Sequence, residues 1–373
     1  MKGFPTQLAR AAAAGDFGSA LIVHFRSAQQ HEGAALVSKA TTLPRLVALG
    51  GVLAGSVALA PVPAVAEPQA AAPTECRIHE LPMPPGATKG NVSGGSPDGR
   101  TLVGTVEGTP SDLVHVVWRD GEILETPGNL PDRLEDVNSD GVAVGGIFDE
   151  YGERRPYVYR DGEVRVLPGH VTPRGINDTG QIVGFRSDAA GEVPVSWAPG
   201  ADQPVDLPGP PGVAEDVAAD GTAVGTVAGE TPGAPTNGFV WRPDGTSAAL
   251  PRPEGIPANE HLEAHQINGP WVIGSGSSGE IRWNLDTGTA EVIPNTIFDS
   301  GAINEQGWVA AARRDSEGRA ATATLFADGQ QVPLPGINNW DLSASSISPD
   351  GSVIGGTALL SRGPSKPVSW TCS

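Results

Sequence analysis

Seven glycines recur at intervals of about forty residues, at Gly99, Gly141, Gly180, Gly221, Gly269, Gly307 and Gly351, most of them directly after Asp or Asn. Asp-Gly and Asn-Gly supply positive φ cheaply and so close hairpins. Two more columns keep step. One is an aromatic, at Trp118, Tyr159, Trp197, Trp241, Trp283, Phe326 and Trp370. The other is an apolar-Pro pair, at Leu81-Pro82, Leu167-Pro168, Leu207-Pro208, Leu250-Pro251, Ile293-Pro294 and Leu334-Pro335, with Thr126-Pro127 as the deviant. Each unit reads as strand A, a tight turn, strand B (Val142 to Gly145 in the second unit), a variable loop, strand C with the aromatic, and strand D ending at Pro. Four antiparallel strands per unit, seven times over, predict an all-β seven-bladed propeller.

The columns are out of phase at the ends. Leu81-Pro82 precedes the first turn, and no strand D follows Trp370. The segment Cys76 to Leu81 therefore fits as the missing strand D of the seventh blade, closing the ring and protecting its edge. Cys76 and Cys372, the two cysteines of the chain, fall on adjacent strands of that blade. A disulfide between them is expected, contributing about 5 kcal/mol in the chain-entropy picture. Strand B carries Gly104, Gly145, Gly184, Gly225, Gly274 and Gly355, with Ala310 in the sixth unit. Placed at the strand end, such residues would let neighbouring sheets approach closely.

Glycine (50) and proline (35) are abundant, yet they sit at the repeated turns, which argues for a folded β protein over disorder. Residues 67–373 hold 19 basic against 41 acidic side chains, a net charge of −22. That surface disfavours nucleic acid and anionic membranes as partners. Residues 38–66 have the parts of a secretory signal: Lys39 and Arg45, the apolar run Leu46 to Ala60, and Ala64-Val65-Ala66 for cleavage after Ala66. The run is short for a membrane span, so no stable insertion is expected after cleavage. Residues 1–37 then form an extension in an awkward place, and translation starting near Val37 would remove it; a precursor that retains Met1 on N-terminal sequencing overturns this. Residues 67–75 read as an Ala/Pro-rich linker and 76–373 as the propeller, secreted and monomeric.

The pattern Ile176-Asn177-Asp178-Thr179-Gly180-Gln181-Ile182-Val183-Gly184, followed in other units by strands such as Gly238-Phe239-Val240-Trp241, resembles the HAF repeats of bacterial extracellular proteins. The resemblance covers roughly residues 90–370 and departs at the His-Ala-Phe triplet, for which Asn237-Gly238-Phe239 is the nearest match. It implies export and propeller-like repeats and brings no assigned catalytic residue. More distantly, Ile347-Ser348-Pro349-Asp350-Gly351 is similar to the turn of TolB-type propeller repeats.

Propeller geometry puts the short A–B and C–D turns on one face and the variable B–C and D–A loops on the other, where recognition is expected. Glu135, Arg174, Glu215 and His265 hold equivalent positions two residues before the apolar strand A residue, near the channel mouth. They are candidates for a ligand-binding or acid–base ring, against the plainer reading of a wet polar entrance. His261 and His265 with Glu260 and Glu263 offer ligand types that suit a divalent ion, but no helix fixes their spacing and a solvated loop is the favoured reading. No cofactor is expected. Trp340 among Asn338, Asn339 and Asp341 resembles a sugar-stacking platform, against a tryptophan folded onto its own blade. Neither Gly-x-Ser-x-Gly, nor His-Glu-x-x-His, nor a phosphate-binding glycine loop occurs. The leading expectation is a non-catalytic propeller binding an extracellular protein or a cell-envelope glycan through the B–C/D–A face. The alternatives are a metal-assisted lyase or hydrolase at the channel mouth and a purely structural surface protein.

Overall fold

The computed structural model describes residues 71–108, 113–125, 134–149, 151–152, 154–189, 191–231, 233–297, 301–314, 320–337, 341–359 and 364–373. The N-terminal extension, the signal with its cleavage site, and Trp340 lie outside the described residues. The described residues form seven four-stranded antiparallel sheets, each with its strands in chain order, arranged as a seven-bladed β-propeller. The inner strands, or strands A, are Lys89–Gly95, Leu134–Val137, Val171–Ile176, Gly212–Val217, Leu262–Asn268, Ala302–Ile303 and Asp341–Ile347. All seven turn glycines have positive φ, from 54° at Gly269 to 91° at Gly221, as closing these hairpins requires.

The ring closes as the phase of the columns implies. Cys76–Glu80 is the outermost strand of the last blade, antiparallel to Ser365–Cys372. Cys76 and Cys372 stand directly opposite each other and are joined by a disulfide across 296 residues of sequence. Pairing continues past the bridge, where Thr74 N–H donates to the Ser373 carbonyl at 2.8 Å and Ser373 N–H to the Glu75 carbonyl at 2.9 Å. Pro73, in the segment read as linker, is buried and approaches the turn at Gly351.

The aromatic and proline columns turn out to be one device. Trp118, Trp241, Trp283 and Trp370 are buried between blades, and each indole N–H donates to a proline carbonyl of the preceding blade. The acceptors are Pro82, Pro208, Pro251 and Pro335, at 2.7–2.9 Å. Just before each proline, the apolar residue makes the last outer rung, as Leu81 N–H does to Pro367 and Leu250 N–H to Gly238. Proline has no N–H to continue the ladder, so the strand stops there and its carbonyl is left for the next blade. Trp197 in the third blade is fully buried, yet its indole nitrogen makes no hydrogen bond.

The strand B glycines act differently from the expectation. They lie within the strands rather than at their ends, and most abut the inner strand of their own blade rather than a neighbouring sheet. A Cβ at Gly104, Gly184, Gly225, Gly274 or Gly356 would overlap the carbonyl oxygen of Asn91, Thr172, Val213, Glu263 or Ser343 respectively. In the last blade that position belongs to Gly356, while Gly355 meets Leu102 of the first blade. The reason is a β-bulge in the facing strand. The register slips between Val92 and Gly94, Leu134 and Asp136, Pro173 and Gly175, Ala214 and Asp216, Ala264 and Gln266, and Ala344 and Ser346. Each slip leaves one residue of the inner strand with no residue opposite it in the ladder and re-aims it.

Candidate functional site

The residues that the ladder skips at the bulges are Ser93, Glu135, Arg174, Glu215, His265 and Ser345, and all six line a cavity of about 370 Å³ on the propeller axis. The sequence places Glu135, Arg174, Glu215 and His265 in equivalent positions, and the structure brings the four together along one arc. In the sixth blade Gly301 lines the cavity just ahead of the two-residue inner strand. The wall is therefore uneven. Blades two to four present charged side chains and blade five a histidine, and blades six, seven and one present glycine and serine.

On the charged arc an anion, a cation and an anion stand in a row. Arg174 Nη1 lies 3.9 Å from Glu135 Oε2, and Arg174 Nε lies 3.4 Å from Glu215 Oε2. Arg154 Nη1 approaches Glu135 Oε1 at 3.5 Å, and the Glu135 side chain is only 6% exposed. The Arg174 guanidinium sits over the Phe185 ring at 5.5 Å. His265 Nε2 is 2.9 Å from Ser275 Oγ and 3.9 Å from Glu263 Oε2. On the opposite arc, Ser93 Oγ donates to the Leu134 carbonyl at 2.6 Å and Ser345 Oγ to the Val92 carbonyl at 3.3 Å.

The next residue along the inner strands of blades two, four and five was not singled out by sequence reasoning, and it ties each of these blades to the next. Asp136 accepts the Ile176 amide of the following blade at 3.0 Å, and Asp216 accepts that of Ile267 at 2.8 Å. Gln266 Oε1 does the same for Ile303 at 2.9 Å. Burial, with the Asp216 and Glu135 charges, pushes the Asp136 carboxyl well above the usual carboxylate range, against the pull of two amides. Burial likewise pushes Asp216 up to about 6. Gly94 and Gly175, on the preceding blades, leave the space these carboxylates occupy.

A second unread column lies two residues further on. Asn138, Asn177 and Asn304 are buried; each accepts amides of its own turn and donates to the next blade, at Asn177, Ala218 and Ser348 respectively. The signal for it was present, as the Asn of Ile-Asn-Asp, but it looked like turn chemistry alone.

A second cavity of about 680 Å³ opens on the loop side, lined chiefly by blade four, with Gly191 and Glu192 of blade three and Glu263 and His265 of blade five. Glu192, Glu230 and Glu263 line it among Gly, Pro and Ala residues, and Glu215 and His265 border both cavities. His261 stands apart from the axial ring. Its Nδ1 accepts the Thr236 amide at 3.1 Å and so fastens the loop ahead of the fourth blade's third strand. Glu260 is taken up by Ser278, whose amide donates to it at 3.1 Å. Among the described residues no three His, Cys, Asp or Glu side chains are grouped so as to hold a metal ion. No described helix is long and apolar enough to cross a membrane.

No family model and no curated protein matches the sequence. Solved structures do. A puromycin hydrolase mutant complexed with PGG superposes with a TM-score of 0.51 at 14% identity, over 76% of this chain and 52% of that one. This chain thus spans about half the length of that hydrolase. A gluconolactonase from Xanthomonas campestris gives a TM-score of 0.40 at 13% identity, over 83% of this chain and 99% of that one. Likeness at such identity extends to the propeller fold and no further.

Proposed function

We propose that this chain is a secreted, non-catalytic binding propeller of the HAF-repeat type. Its B–C/D–A face, centred on the channel mouth, engages an extracellular partner: a protein or a cell-envelope glycan. The observation that carries the reading is the use of the bulge column. One backbone device re-aims one side chain per blade into a common cavity, and that side chain differs from blade to blade on a frame that otherwise repeats. Such an arrangement suits recognition on a rigid scaffold. Export is supported by the signal-like segment 38–66 and by the disulfide, which persists in oxidising compartments.

The residues at the mouth answer one another. Glu135 and Glu215 share Arg174, and His265 holds Ser275, so the arc offers directed polar contacts more than an isolated base or nucleophile. A thermal-shift screen of the purified protein tests the reading, with divalent ions, chelator, and cell-wall and plant oligosaccharides as additives. A ligand that binds the folded state raises the melting temperature in a concentration-dependent way. Turnover of a polysaccharide or lactone, lost on replacing Glu135 or His265, would overturn it in favour of a hydrolase or lyase.

A further inference from the structure

Arg174 is the unusual member of the axial ring. Its guanidinium carries five donors in a planar fork, yet among the described residues it makes ion pairs at 3.4 and 3.9 Å and no hydrogen bond. Its Nε is shielded from solvent and still lacks a hydrogen-bond partner. A carboxylate is the group that completes such a fork, through two parallel N–H···O bonds. A simple anion is a poor occupant, because Glu135, Asp136, Glu215 and Asp216 line the same cavity. The occupant must bring positive charge with its carboxylate.

The loop-side cleft extends the argument. It shares Glu215 and His265 with the axial cavity and adds the exposed carboxylates of Glu192, Glu230 and Glu263. Small residues between these acids leave an apolar floor along which an alkyl stem can lie while its charged end meets a carboxylate. The two cavities, about 370 and 680 Å³, are of the size used for small molecules.

We propose that the channel mouth binds a basic α-amino acid: its carboxylate on Arg174, its ammonium group on the Glu215 carboxylate beside Arg174, and its cationic side chain in the loop-side cleft spanning blades three to five. The proposal names the ligand class of the binding site described above and rests on that reading. Isothermal titration of the purified protein tests it, with L-lysine and L-arginine as probes. Cadaverine (no carboxylate), Nα-acetyl-lysine (no α-ammonium group) and L-glutamate (no cationic side chain) serve as controls. Lysine and arginine are expected to bind, and cadaverine and Nα-acetyl-lysine to bind at least about tenfold more weakly, the worth of one charge-assisted contact. Arg174→Lys keeps the charge and loses the fork, and should cost lysine about tenfold in affinity. Glu230→Gln, on the exposed rim, should weaken lysine several-fold, roughly one rim charge. Unaltered melting temperatures show that both variants are folded.

No binding of lysine or arginine, or equal binding of cadaverine, overturns the proposal. Binding of an oligosaccharide or a protein without any amino acid overturns it while leaving the broader reading in place. A catalytic outcome, with turnover at the channel mouth, would sink the broader reading instead.

Discussion

Each inner strand carries two neighbouring regions that obey opposite rules. At the turn end, glycine recurs in every blade at positive φ, and Asn recurs in the second, third and sixth with the same bonds to its own turn and to the next blade. Three residues earlier, at the bulge, the side chain is Ser93, Glu135, Arg174, Glu215, His265 or Ser345. The turn is specified by side chains, so its residues repeat. The bulge is specified by backbone and by the bare glycine opposite, so its own side chain is free to vary. That difference separates what holds the ring together from what the ring displays.

The largest test strikes the support of the bulge. Gly225→Val sets a branched side chain against the Val213 carbonyl, and should cost more than about 3 kcal/mol or abolish folding, read by urea denaturation. If the variant folds with little loss, the bulge is not held by that glycine. Next comes the closure that keeps the repeated frame a ring: reducing the Cys76–Cys372 bridge, or Cys372→Ser, should lower stability by about 2–5 kcal/mol. Melting with and without reductant checks it, and Cys372→Ser should be insensitive to reductant. Asn177→Ala removes a bond to the next blade and those to its own turn, and should cost about 2 kcal/mol, where an exposed turn residue such as Asp178 costs much less.

A smaller effect should appear with pH. The Asp216 carboxyl is raised to about 6 in the folded protein, whereas the unfolded chain titrates near the ordinary value of 3.8. Folding therefore disfavours the charged form. Asp216 should cost stability above pH 6, and that cost should vanish as the pH falls through 6 towards 4. Asp136 acts in the same direction. A melting temperature that rises from pH 7.5 to pH 5, by the equivalent of about 1 kcal/mol because channel water screens the group, is expected, and Asp216→Asn should flatten it. Asp350, lowered by its bonds to Ser352 and Ser348 against its partial burial, opposes this only at lower pH. The smallest effect should come from the display position itself: Ser345→Ala should shift stability by less than about 1 kcal/mol. A large loss there would erase the distinction between frame and display.

Much of the frame was legible because a repeat reports its own errors. The phase slip of the proline column identified the closing strand, and with it the disulfide. The four candidates at the channel mouth were legible from their shared position in the repeat. The bulge was not, because a bulge is a relation between two strands: Leu134-Glu135-Asp136 reads as ordinary sequence until Gly145 stands opposite Leu134. The bonds from Trp118 to Pro82 and from Asn177 to Ala218 were hidden for the same reason, each partner lying in a different blade. His261 was grouped with His265 by sequence proximity, yet His261 stands in the loop before the inner strand and His265 is that strand's bulge residue, so the two go to different places.

The sequence by itself determined the number of blades, the position of the seven turns between strands A and B, and the partner of each cysteine, because these depend on local backbone preference and on counting. Tertiary structure alone decided that a bulge aims Glu135, Arg174, Glu215 and His265 at the axis, that Ser93 and Ser345 join them there, and how far Asp136 and Asp216 are driven from their ordinary acidity. These depend on groups brought together from different strands or different blades, and no single stretch of a repeat contains that distance.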